Sequence, residues 1–141
     1  PLEQFVRLEP VLADVVPART MIGRAFMLQK RWADAEQQLK LVLSMAPARG
    51  AAHSTAQGFL ADTLFAQQKF AESQAAYREY LLERPDDVGA VTNLAVSLSA
   101  LGKLDEAVAA FRRAVEMNPR DAQLRRNLAI ALEDQAHAAI R

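Results

Sequence analysis

Pro85 and Pro119 stand 34 residues apart, and the residues leading up to each proline repeat in kind as well as in number. A fixed period of that length confines a chain to architectures in which one small unit stacks on copies of itself, because a single unit cannot bury its own apolar face. Pro47 supplies a third mark. Counted backwards from the prolines, the unit occupies 16–49, 54–87 and 88–121, with 50–53 as a four-residue insertion after the first. At its seventh, eighth and eleventh places stand Ile22, Gly23 and Phe26, then Leu60, Ala61 and Leu64, then Leu94, Ala95 and Leu98. At its twentieth, twenty-fourth and twenty-seventh places stand Ala35, Leu39 and Val42, then Ser73, Tyr77 and Tyr80, then Ala107, Phe111 and Ala114. Large and small residues recur at helical spacing in every copy.

Each unit therefore reads as two short amphipathic helices whose small residues let the axes approach. The stretch from Asn93 to Pro119 shows this most clearly, with Gly102 ending its first helix in the left-handed conformation that glycine adopts without a Cβ clash. Lys30 and Gln68 hold the same turn in the other units, where a left-handed backbone costs ~1 kcal/mol, so those turns are expected to be looser. Trp32 and Phe70 take the place of Leu104 and are expected to plug the space between helices. The spacing predicts helices over 16–29, 32–45, 52–67, 70–83, 88–101 and 104–117. A further one, over 122–140, begins like a first helix and finds no second. Its Arg125, Arg126, Glu133, Asp134 and Gln135 suit a polar cap. Leu2 to Glu9, before Pro10, reads as the last turns of a preceding helix.

This registered pattern resembles the tetratricopeptide repeat, with its large-small-large first helix, Ala and Phe in the second, and closing Pro. The first-helix Trp of that family is replaced by Arg19, Gln57 and Val91. The resemblance implies an all-α fold, a right-handed superhelix of antiparallel helix pairs: a flanking segment over 1–15, three full repeats and a capping helix over 122–141. It also implies that first helices line a concave groove. The candidate contacts are Thr20, Arg24 and Met27; Gly58, Asp62 and Phe65; Thr92, Asn93, Val96, Ser99 and Ala100; and Arg126, Asn127 and Ile130. Asn93 and Asn127 share one register, where related superhelices clasp a peptide's amides, but Met21 and Phe59 interrupt the ladder. An asparagine there serves either a ligand or a bond within the repeat. Phe65 faces the groove or folds onto 50–53. A carboxylate clamp of the kind some members carry is disfavoured, because Gly58, Asp62, Gln123 and Asn127 stand where its partners would be needed.

Composition narrows the function. Seventeen basic and seventeen acidic residues cancel, leaving no global field for a polyanion, so nucleic acid is not an expected partner. There is no cysteine, and the two histidines, His53 and His137, are too far apart in sequence to form a metal-ligand motif and read as solvated helix-end residues. The glycines are scattered rather than gathered into a phosphate loop. Asp86 or Asp87, then Asp121, and the pair Asp105 and Glu106 read as helix-start residues rather than metal ligands. No apolar run spans a bilayer, so no direct membrane insertion is expected.

These features lead to a non-catalytic scaffold that binds a partner's peptide or helical segment in its groove and needs no cofactor. The start at Pro1 reads as a piece of a larger bacterial protein, soluble in cytoplasm or periplasm, or as a processed terminus. Two alternatives stay open. Leu2, Phe5, Val6 and Leu8 could make an N-terminal end that docks a second copy, giving an assembly module. The chain could also be the substrate-selecting arm of a larger enzyme such as a glycosyltransferase, by analogy alone.

Overall fold

The computed structural model describes the backbone of residues 2–46 and 49–140, and side chains from residue 15 onward within those ranges. Pro47 and the side chains of Leu2, Phe5, Val6, Leu8 and Pro10 lie outside the described residues. Seven helices and no strand are present among the described residues: α1 (Leu2–Leu28), α2 (Trp32–Met45), α3 (Ala51–Ala66), α4 (Phe70–Glu83), α5 (Val88–Ala100), α6 (Leu104–Met117) and α7 (Ala122–Ile140). They fall into two compact units, Pro1–Gln67 and Gln68–Arg141. The division lies inside the segment 54–87 that the period marks as one repeat.

In the first unit, α1 packs against α2 and α3, and α2 against α3. Contrary to the sequence expectation of a separate segment before Pro10, α1 runs unbroken through Pro10 and Pro17. A proline removes one donor and crowds the preceding turn, which is why a break was expected. Here Pro17 lies on the exposed side, while Val16 and Thr20 are buried on either side of it. The Thr20 hydroxyl donates to the Val16 carbonyl at 2.8 Å. The buried stripe of α1 is thus Val16, Thr20 and Gly23, and Ile22, expected on the packing face, is exposed. A Cβ on Gly23 would lie 2.9 Å from Leu39 Cδ2, so the glycine sets how closely α1 and α2 approach. Leu39 is fully buried with Ala35 and Val42, as the stripe on α2 requires. The supposed insertion is helical, with Gly50 preceding α3 at φ 120° and 51–53 forming its first turn.

In the second unit, α4 packs on α5, α5 on α6 and α6 on α7. Phe111 anchors a core with Ala95, Val108 and Ala131, against which Val96, Ala110, Leu128 and Leu132 lie. Ala107 and Ala114, one turn to either side of Phe111, are fully buried. Ala129 on α7, in register with the buried Ala61 and Ala95, is exposed, consistent with a helix that has no following partner among the described residues.

The three turns that precede α2, α4 and α6 share one geometry. Lys30, Gln68 and Gly102 have φ of 59°, 61° and 77°. Arg31, Lys69 and Lys103 follow with φ of −88°, −83° and −84°. In the first turn Arg31 N–H donates to the Phe26 carbonyl at 2.9 Å, and in the third Lys103 N–H donates to Leu98 at the same distance. This is the hydrogen-bonded closure that satisfies a helix's last carbonyls. The expectation of a looser turn at Lys30 is therefore corrected: the strain is present, but the closure is the same. Trp32, Phe70 and Leu104 are the first residues of the helices that follow, and all three are half-buried.

Candidate functional site

A polar seam between α4 and α5 engages the side chain of one candidate, Asn93. Ser73, Tyr77 and Tyr80 stand four and three residues apart on α4, opposite Ser97, Asn93 and Asp87 in antiparallel order. The Ser73 and Ser97 hydroxyls are 2.9 Å apart in a fully buried setting, and Ser97 also lies within bonding distance of the Asn93 carbonyl. Asn93 Nδ2 donates to the Tyr77 hydroxyl at 3.0 Å. Tyr80 donates to Asp87 Oδ2 at 2.6 Å while Asp87 Oδ1 accepts from Ala90 N–H, capping α5. Of the two roles open to Asn93, the structure shows a bond between neighbouring helices. Asp121 caps α7 in the expected way, accepting from the Gln123 and Leu124 amides. Asp105 and Glu106 lie in the first turn of α6 but do not repeat the cap: Lys103 precedes the helix without a side-chain capping bond, and Asp105 accepts from Gln135.

The other candidates separate by exposure. Thr20 is buried with its hydroxyl occupied, so its assignment as a contact residue is corrected; the stripe that packs α1 includes it. Arg24 is exposed and Met27 half-buried in the first unit, with Gly58 and Phe65 half-buried and Asp62 exposed on α3. Thr92 spends its hydroxyl on the Val88 carbonyl at 2.8 Å. Arg126 is exposed and its guanidinium donates to Gln123 at 3.4 Å. Ala100 is exposed at the end of α5.

Four candidates meet in one place. Val96 and Ser99 from α5 and Asn127 and Ile130 from α7 line a pocket of about 200 Å³ in the second unit, with Phe111, Ala131 and Asp134. Phe111 reaches it from α6 and is almost wholly buried, so the pocket's base is continuous with the core. Ile130 is 51% exposed and forms an apolar wall. Asn127 Oδ1 accepts from Gln123 at 2.9 Å, which leaves Nδ2 as a donor. Asp134 was absent from the candidates although the signal was there. Asn127, Ile130 and Asp134 lie at i, i+3 and i+7, one face of a helix. A second, wider hollow of about 560 Å³ lies between the α5–α6 turn and the end of α7, lined by Lys103, Leu104, Asp105, Glu106, Gln135 and small residues. Nothing in the sequence pattern marks it.

Among the described residues no group of three or more His, Cys, Asp or Glu could hold a metal ion, and no helix is long and apolar enough to cross a membrane. His137 is exposed, whereas His53 is half-buried with Nδ1 enclosed and unpartnered, unlike the solvated residue expected.

Residues 64–129 match the family model described as tetratricopeptide repeat. That segment is similar to the tetratricopeptide repeat. Solved structures agree with this at the level of the fold. MamA AMB-1 superposes with a TM-score of 0.79 at 21% identity over 86% of this chain, which spans 64% of the MamA chain. The first tetratricopeptide domain of Spaghetti (RPAP3), bound to an HSP90 peptide, gives 0.75 at 17% identity over 86% of this chain and 93% of its own. The second such domain of human RPAP3, in complex with an HSP70 peptide, gives 0.73 at 17% identity over 85% and 97%. No curated protein matches the sequence. These solved structures share the fold of the present chain.

Proposed function

We propose that the chain is a non-catalytic protein-interaction scaffold that holds a peptide or helical segment of a partner on the face shared by α5 and α7. The repeats that build it run 16–49, 54–87 and 88–121, with 122–141 as the closing helix. One observation carries the reading: the pocket that gathers Val96, Ser99, Asn127 and Ile130 opens to solvent above an apolar base and has polar groups at its edge. That combination suits a side chain inserted from outside, with the partner's backbone held at the rim. RPAP3 domains of the same fold are seen with peptides, which supports the kind of ligand and not its sequence.

The test is capture from an immobilised library of short synthetic peptides by the 141-residue chain and by Ile130→Glu, with circular dichroism confirming that both fold. Ile130 is exposed, so a carboxylate there is tolerated by the fold but spoils the apolar wall. At least about tenfold weaker capture by the variant is expected, as for loss of a central apolar contact. Equal capture would overturn the assignment of this face.

A further inference from the structure

The same pocket carries a preference that the binding reading alone does not state. Resting on that reading, we infer that it selects a partner segment in which an apolar side chain is flanked by Lys or Arg. At about 200 Å³ the space is smaller than the roughly 300–1,000 Å³ of a small-molecule site. A single side chain is the occupant of the right size. Val96, Phe111, Ala131 and Ile130 offer it only carbon.

The edge is not neutral. Asp134 is the one ionisable residue of the lining, is exposed, and makes no hydrogen bond or ion pair with any described residue. Glu133 precedes it on α7, and among the described residues the nearest Lys or Arg in sequence, Arg126, is directed to Gln123. Asn127 Nδ2 adds a donor suited to a backbone carbonyl, and the Ser99 hydroxyl lies across from it on α5. A segment that buries its apolar side chain here therefore brings its next residue to a rim with an uncompensated negative charge. A cation is attracted there, and an acidic residue is repelled.

The probes are three pools of short synthetic peptides with a central Leu, flanked by Lys, Gln or Glu and randomised elsewhere. They are titrated by fluorescence anisotropy at low salt against the wild-type chain, Asp134→Asn, Asp134→Lys and Ile130→Glu. Wild type is expected to favour Lys over Gln, and Gln over Glu, by about two- to fivefold per step, the range of an exposed ion pair. The order should collapse in Asp134→Asn and reverse in Asp134→Lys. Three equal pools on wild type, while Ile130→Glu weakens all of them, would overturn the charge preference and leave the binding face standing. Pools that Ile130→Glu binds as wild type does would overturn the face itself, and this inference with it.

Discussion

Asp87 serves two elements at once, with one carboxylate oxygen capping α5 through Ala90 and the other accepting from Tyr80 on α4. Asp87→Ala should therefore cost ~1–2 kcal/mol in a urea unfolding curve, the loss of a cap together with an orphaned hydroxyl. A midpoint unchanged would show that the seam does not hold α4 to α5. Asn93 belongs to the same seam. Asn93→Ala should cost ~1 kcal/mol of stability and leave peptide binding almost unaltered, since its amide is turned to Tyr77. A large loss of affinity in a chain of unchanged stability would restore Asn93 to the binding face. Sequence could not decide this, because an asparagine at one register of a helix bonds equally well to a ligand or to a neighbour. Only the tyrosine sixteen residues earlier, brought alongside by the fold, settles where its donor goes. Lys30, by contrast, was partly legible: it holds the turn that elsewhere holds Gly102, and its φ of 59° is left-handed like that glycine's 77°. Lys30→Gly is expected to raise stability by less than ~1 kcal/mol, strain relief being offset by the freer unfolded chain.

Among the helices, the stripes on α2, α4 and α6, each a small residue followed by a large one a turn later, were legible because three registered copies exclude coincidence, and burial follows them except at Tyr80, which is half-buried. Ala35, Leu39 and Val42 are fully buried, as are Ala107 and Ala114 around Phe111. Phe111→Ala should cost ~3–5 kcal/mol, since α5, α6 and α7 all pack on that ring. Gly23→Leu should cost ~1–3 kcal/mol by overpacking, because Leu39 has no solvent into which to move. Thermal melts of the two variants check both figures, and wild-type midpoints would contradict the packing. The extent of α1 was not legible. Proline at 10 and 17 argues for a break on local grounds, and only packing of the Val16–Thr20–Gly23 stripe explains a helix continued past Pro17. The pocket was half legible for a related reason. Val96, Ser99, Asn127 and Ile130 follow from the faces of first helices, but Phe111 serves the core and the pocket together, and Asp134 resembles any charge on a terminal helix.

For the whole molecule, the period of the sequence, the matched segment 64–129 and the likeness to solved tetratricopeptide structures lead to one fold class by three independent routes. A fold of this kind serves many partners, so function rests on the particular surface it presents. On the proposed reading that surface is the apolar pocket between α5 and α7, closed at its base by the core and edged by Asn127 and Asp134. The most direct measurement is a proton–nitrogen correlation spectrum of the labelled chain titrated with the tightest peptide captured from the library. Shifts concentrated at Val96, Ser99, Asn127, Ile130 and Asp134, and saturating together, are the predicted result. Saturable shifts that leave these five residues in place and fall elsewhere on the chain would contradict it.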